Sequence, residues 1–211
     1  MKIVILAGGK GSRFSGLTSS IPKPLINVNG KPIITRIIEH YNYYGFKNFI
    51  VPIGYKGEMI KSYFKNFDLN NANLKVTFTP NKRVEYDKKF DGFSFQIIDT
   101  GLETLTALRL YKIKQFLKDE IFMLTYGDGL SDVNISDLLD FHKSHGKIGT
   151  MTIIRPPGRF GELELNKNSE ILNFKEKPKI SKGWINGGFF VFNKSFFNYI
   201  SDKNEMLEQI P

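Results

Sequence analysis

A chain of 211 residues with 41 % apolar and 24 % charged side chains can build the core of one globular domain and is neither a disordered nor a fibrous composition. It has no cysteine, which excludes a disulfide framework and thiolate catalysis, and its opening apolar run ends after five residues at Gly8, too short for a signal-peptide core or a membrane span. The formal charge of +9 is scattered through "KKF", "KIK" and "EKPKISK" with no aromatic interleaving, so it points to solvated lysine faces or phosphorylated ligands and not to nucleic acid. A soluble, cytoplasmic protein without a membrane partner is expected.

In chain order, Ile3–Leu6 reads as a buried strand. Ile33, Ile34, Ile37, Ile38 and Tyr41 follow helical spacing, and Gly45 stands where a C-terminal cap belongs. "NFIVPIG" is strand-like, and Met59, Ile60, Tyr63, Phe64 and Phe67 form a second amphipathic helix. "KVTFT" and "FSFQIID" are strands on either side of a polar link, Pro80–Gly92. Leu105–Leu117 is helical, "IFMLTYGDG" is another buried strand, and Ile135–His145 is a helix. "GTMTIIR" is a strand, "GELEL" and "ILNFK" are strands joined by a turn, "WINGGFFVF" is a strand, and Ser195–Ile200 is a short helix. Strand and helix alternate in at least four units, which predicts a doubly wound, largely parallel α/β sheet. No repeat, low-complexity segment or linker interrupts it, so residues 1–211 are read as a single domain.

In such sheets ligands bind at the carboxyl ends of the strands. The loop "LAGGKGSRFSGLTSSIPKPL" leaves the first strand at that end. It fits neither the dinucleotide fingerprint, because position 14 is Phe14, nor a P-loop, because Leu17 follows the last glycine where lysine is required. Its physics is nevertheless that of an anion cradle. Glycines let backbone N–H groups approach oxygens, Ser12 adds a hydroxyl and Arg13 a guanidinium fork. Lys23, between Pro22 and Pro24, adds a point charge on a stiffened backbone. "TYGDG", Thr125–Gly129, ends a second buried strand. Asp128 there suits Mg²⁺, a hard cation that takes carboxylate and phosphate oxygens, although an acidic turn is also a common structural device. "FKEKP" carries Glu176 and Lys177 after a strand, in what is otherwise an ordinary charged turn. In "WINGGFF", Asn186 and two glycines interrupt an apolar strand, which marks close approach of a ligand or of another backbone.

Taken together, "LAGGKGSR…PKPL", "IDTGLETLTALR", "TYGDGLSDVNI", "PPGRFGEL", "FKEKP" and "INGGFFV" resemble the sugar-phosphate nucleotidyltransferase family over essentially the whole chain. The polar link before "IIDTG" and the "PPGRFG" segment point to its cytidylyltransferase branch. The resemblance implies a Rossmann-like, mixed but mostly parallel sheet. It also implies that CTP and a sugar 1-phosphate, glucose 1-phosphate in that branch, are joined into a CDP-sugar and pyrophosphate with Mg²⁺ as cofactor, for surface polysaccharide, in a homo-oligomer. It places Leu6, Ala7, Gly8, Gly9 and Gly127 along the nucleotide, Gly11, Ser12 and Arg13 on its triphosphate, and Thr104 and Arg109 on the nucleotide or phosphosugar. Lys23 would touch the reacting phosphates, Asp128 would ligate Mg²⁺, and Lys177 would bind the sugar phosphate. Glu176, Asn186 and Gly187 would lie against the sugar.

The implied reaction is in-line attack of a sugar-phosphate oxygen on the α-phosphorus, with pyrophosphate leaving. Such a nucleophile is already ionised, so no general base is needed. His40, His142 and His145 accordingly fall on helices away from the motifs, and Glu162 with Glu164 reads as an exposed strand face and not as a glycosidase pair. Two departures stand out. Ala107 and Leu108 replace the family's glycines before Arg109 and are expected to narrow the pocket. The chain also ends at "NEMLEQIP", before the point where the family supplies a second metal-binding aspartate. Another nucleotide or acceptor, or a nucleotide-binding regulatory subunit, therefore remain the alternative readings.

Overall fold

Apolar strands and amphipathic helices assemble into one six-stranded sheet covered on both faces. In a computed structural model of the chain, residues 1–9, 20–67, 73–77, 83–87, 92–156, 162–175 and 183–209 are described. β1 (Lys2–Leu6) is followed by a 3-10 turn at Lys23–Leu25, a small hairpin of β2 (Asn27–Val28) and β3 (Lys31–Pro32), and α1 (Ile33–Tyr43). β4 (Asn48–Ile53), α2 (Gly57–Lys65), β5 (Asn73–Thr77), β6 (Arg83–Asp87) and β7 (Ser94–Asp99) come next. The chain then forms α3 (Thr106–Lys112), β8 (Ile121–Tyr126), α4 (Ile135–His145) and β9 (Gly149–Ile154). β10 (Glu162–Leu165), β11 (Ile171–Lys175) and β12 (Ile185–Asn193) complete the strands.

The main sheet has the order β7-β4-β1-β8-β12-β9. β7, β4, β1 and β8 are parallel, and β12 runs antiparallel to both its neighbours. The mostly parallel, mixed α/β architecture is the expected one. Alternation along each strand divides the core between two faces. Ile3, Ile5, Phe49, Val51 and Met123 face α1, α2 and α4, through Ile34, Ile37, Ile38, Tyr41, Ile60 and Leu138. Val4, Leu6, Ile50, Phe122 and Leu124 face α3 and the turn after it, through Ala107, Leu110, Ile113 and Leu117. Each of these large side chains, taken fully out of water, contributes about 1.5–3 kcal/mol. The helix α1 stops as its sequence predicts: Gly45 adopts φ 83 and its N–H donates to Asn42 O at 2.9 Å.

Four expectations change in the structure. The polar link Pro80–Gly92 contains a strand, β6, which pairs antiparallel with β5 in a ribbon apart from the main sheet. Its charged, alternating "RVEYD" carries no apolar run to announce it. The helix expected over Leu105–Leu117 is α3 followed by a separate 3-10 turn, Lys114–Phe116. Ser195–Ile200 is likewise a 3-10 turn, Lys194–Asn198, because five residues are too few for a stable α-helical segment. Phe67 lies beyond the end of α2 yet is buried against Phe64 and Phe93. Among the described residues no helix is long and apolar enough to cross a membrane.

Candidate active site

The parallel pairing of β1 with β8 aligns their carboxyl ends, Leu6 opposite Tyr126. The chain leaves both strands there, and the Gly127 N–H donates to Leu6 O at 2.9 Å, so the two exits are stitched together. Leu6–Gly9 and Tyr126–Asp128 thereby form one wall of a cavity of about 350 Å³, within the range of small-molecule sites. Thr104, Leu105, Thr106 and Arg109, at the start of α3, form the opposite wall, and Lys23 with Pro24 closes one side. Most of the predicted nucleotide-site residues that the structure describes are thus brought to one place.

Lys23 opens the 3-10 turn between Pro22 and Pro24, and Pro24 is buried. This stiff support delivers the Lys23 ammonium to 3.3 Å from Asp128 Oδ2. The pair is part-exposed, so it contributes little to stability. It marks a mouth where a cation and a carboxylate both face the cavity.

Arg109 lies deeper, 3 % exposed. Its guanidinium donates to Ile53 O at 2.6 Å, to Gly8 O at 3.3 Å, to Thr104 O at 2.5 Å and to Thr100 Oγ1. Burial pulls its pKa below the ordinary value, with Asp99 opposing the shift. These bonds lash together the ends of β1, β4 and β7. The predicted nucleotide contact is therefore also the organiser of the cavity wall. Gly8 is what admits it: a Cβ there would stand 2.2 Å from Arg109 Cζ. Thr104 is similarly engaged, donating to Thr100 O at 2.6 Å and accepting from Lys112 Nζ at 3.2 Å.

Asn186 lies outside this first cavity, on β12. Its Nδ2 is 3.3 Å from the Tyr126 hydroxyl, and it lines a neighbouring hollow that shares Tyr126 with the first. A Cβ on Gly187 would meet Thr152 Oγ1 at 2.7 Å, so a glycine is needed here for the close approach of β9. Gly11, Ser12, Arg13, Glu176 and Lys177 lie outside the described residues. Ala107 and Leu108 do not narrow the cavity. Ala107 is buried in the core under α3, and Leu108 lines a separate surface groove with Tyr111 and Lys112.

The histidines stay apart, as expected. His40 Nε2 bonds Val133 O at 2.8 Å, while His142 and His145 both bond Thr150 Oγ1 from α4. Glu164 is exposed on β10. The sequence reading missed Thr106, Tyr126 and the C-terminal segment. Met206 lines the cavity, and Glu208 bonds Thr106 and Tyr126. No motif signals a return of the chain from 100 residues away.

For a divalent cation, the carboxylate at the mouth of this cavity among the described residues is Asp128, which is half-exposed. Among the described residues no group of three or more potential ligands is assembled. This donor set fits a hard cation that completes its shell with water and phosphate oxygens.

A doubly wound sheet with a cation-and-carboxylate-edged cavity at the switch from β1 to β8 defines a nucleotide-handling α/β protein. The family described as Nucleotidyl transferase matches residues 2–210, and the chain belongs to that family. The glucose-1-phosphate cytidylyltransferase of Salmonella typhimurium is 42 % identical over 212 residues, covering 100 % of this chain and 82 % of that protein. A probable glucose-1-phosphate cytidylyltransferase of Bacillus subtilis is 41 % identical with the same coverage. Among solved structures, HddC from Yersinia pseudotuberculosis complexed with GMP-PN has a TM-score of 0.67 at 21 % identity, covering 100 % of this chain and 86 % of that one, which shows the shared fold.

Proposed function

We propose that the chain joins CTP and glucose 1-phosphate to give CDP-glucose and pyrophosphate. The reaction type is carried by the Lys23–Asp128 pair at the mouth of the β1/β8 cavity. The choice of substrates rests on the relatives named glucose-1-phosphate cytidylyltransferase that match along the whole chain.

An anionic phosphate oxygen of the sugar phosphate attacks the α-phosphorus of CTP. The new P–O bond forms as the bond to the β-phosphate oxygen breaks in line, and pyrophosphate departs with its charge. No proton must be removed from the nucleophile, which agrees with the absence of a histidine among the residues lining the cavity. The protein's work is to hold two anions together and to offset the charge that builds up between them. Leu6–Gly9 and Gly127 lie along the nucleotide, and Lys23 bridges the reacting phosphates. Arg13 and its loop hold the leaving pyrophosphate, Lys177 orients the attacking phosphate, and Glu176 and Asn186 take sugar hydroxyls. Asp128 would hold Mg²⁺, which when bound supplies positive charge to the phosphate oxygens.

This reading places the enzyme in the cytoplasm as a supplier of nucleotide sugar for polysaccharide. The exposed Leu163, Ile171, Leu172 and Phe174 on the β10–β11 ribbon support association of copies into a homo-oligomer. Ala107 and Leu108 are not among the described residues lining the cavity, so the narrowing expected of them gives no ground for a different nucleotide. Mass spectrometry of products from a grid of nucleoside triphosphates and sugar 1-phosphates tests the proposal. CDP-glucose as the dominant product is expected. A different dominant pair, or nucleotide binding without any product, overturns it.

A further inference from the structure

Glu208 has no role in the reaction as described so far, yet both its carboxylate oxygens are engaged at the boundary between the two hollows. It sits in the 3-10 turn Leu207–Gln209, which returns to the start of α3. There the Leu207 N–H donates to Thr106 Oγ1 at 2.7 Å and the Ala107 N–H donates to Glu205 O at 3.1 Å. The Tyr126 hydroxyl donates to Glu208 Oε1 at 2.5 Å, and the Thr106 hydroxyl donates to Oε2 at 2.9 Å.

The direction of each bond follows from proton counting. An ionised carboxylate only accepts, so the single phenolic proton of Tyr126 is committed to Glu208. Toward Asn186 the Tyr126 oxygen can then only accept, and Asn186 Nδ2 stands 3.3 Å from it. At the other end of the amide, Asn186 Oδ1 accepts the Gly188 N–H at 2.7 Å. The Asn186 amide therefore has one orientation, with its oxygen turned onto β12 and its NH₂ turned outward. One Nδ2 proton goes to Tyr126, and the other is left for a substrate oxygen.

We propose that Glu208 is a positioning residue for the sugar-phosphate half of the site. Through Tyr126, and together with the Gly188 N–H on Asn186 Oδ1, it holds Asn186 as a hydrogen-bond donor, so the acceptor substrate meets an N–H and not a carbonyl. This rests on the reading above, in which Asn186 takes a sugar hydroxyl oxygen. A reversed amide would set two acceptors, Oδ1 and the Tyr126 oxygen, against each other. An O–H bond to a carboxylate is among the stronger hydrogen bonds, which suits it to the task even where the group is open to solvent.

The test uses Glu208→Ala, Tyr126→Phe and the double variant, with thermal unfolding to verify that each is folded. Removing either link is expected to raise KM for glucose 1-phosphate about fivefold or more, the size of one such hydrogen bond. In Glu208→Ala, KM for CTP should stay within about twofold of the parent, because Glu208 is not among the described residues lining the nucleotide cavity. The double variant should be no worse than the poorer single one, because both cut the same relay. The side-chain ¹⁵N–¹H resonances of Asn186 should move in both single variants, a readout that needs no turnover. Equal changes in both KM values of Glu208→Ala, additive losses, or an unmoved Asn186 amide overturn the inference. If the parent makes CDP-glucose and Glu208→Ala behaves identically, the positioning role fails while the function stands. If the parent makes no product, the function fails, and a glucose 1-phosphate titration followed at the Asn186 amide decides. Weaker binding in Glu208→Ala than in the parent supports the role; no perturbation, or equal binding, overturns it.

Discussion

Lys23 and Asp128 are separated by 105 residues, yet Lys23 Nζ stands 3.3 Å from Asp128 Oδ2 across the mouth of the cavity. In the proposed reaction each holds the other where the two phosphate anions meet. Lys23→Ala and Asp128→Asn are each expected to cut turnover by about 10²-fold or more, the usual loss for one preorganised charge contact. Both belong to part-exposed turns, so the unfolding free energy should change by less than about 1 kcal/mol. Steady-state kinetics beside denaturant titration checks both halves; near-parental turnover in either variant would place the reacting centre elsewhere. Asp128→Asn should in addition raise the Mg²⁺ concentration needed for half-maximal activity.

Arg109 behaves differently, because its guanidinium bonds the carbonyls of Gly8 and Ile53 at the ends of β1 and β4 and the Thr100 hydroxyl at the end of β7. Arg109→Ala leaves Ile53 O and Gly8 O with one donor fewer and is expected to lower stability by about 2–4 kcal/mol. Arg109→Lys should recover only part of this, since an ammonium cannot span the same fork of acceptors. The urea midpoint should fall at constant m, and an unchanged midpoint would contradict the lashing role.

Gly8 and Gly9 lie side by side along the cavity but answer to different constraints. A Cβ at Gly8 meets Arg109 Cζ at 2.2 Å, whereas nothing lies within 4 Å of one at Gly9. Gly8→Ala is expected to destabilise by about 1–3 kcal/mol through overpacking. Gly9→Ala should leave the unfolding midpoint unchanged and weaken CTP binding alone. Calorimetric titration with CTP, next to thermal unfolding, separates the two; equal loss of stability in both would refute the distinction.

His142 governs a pH dependence away from the site. Burial lowers its pKa, the Asn193 hydrogen bond opposes the shift, and the nearby His145 adds to it. The ring holds Thr150 Oγ1 at 2.8 Å and Asn193 Oδ1 at 3.3 Å, tying α4 to β9 and β12. In the unfolded chain the imidazole gains its proton near pH 6.5, while in the folded protein it does so only at lower pH. Between those values the unfolded state binds more protons, so stability falls as pH drops below about 6.5 and is fully present above it. Unfolding midpoints from pH 7.5 to 5 should show this decline, and His142→Gln should flatten it. An NMR titration placing the His142 ring above 6.5 would reverse the sign and refute the account.

Much of this protein was determined by local sequence. The strand ends at Leu6 and Tyr126, the stop of α1 at Gly45 and the full extent of α4 follow from side-chain period and backbone chemistry within a few residues. The same local patterns marked Lys23 between its prolines and Asp128 in its turn as site residues. Tertiary structure alone decided the rest. The antiparallel insertion of β12 between β8 and β9, the burial of Arg109 under Gly8, and the return of Glu208 to Thr106 and Tyr126 join residues 31 to 102 positions apart. The placement of Ala107 in the core, away from the cavity, depends on which face of α3 meets the sheet. Periodicity encodes which side chains avoid water. Which distant donor meets which acceptor is settled only when the packed faces bring them within about 3 Å, because a hydrogen bond acts over that distance alone.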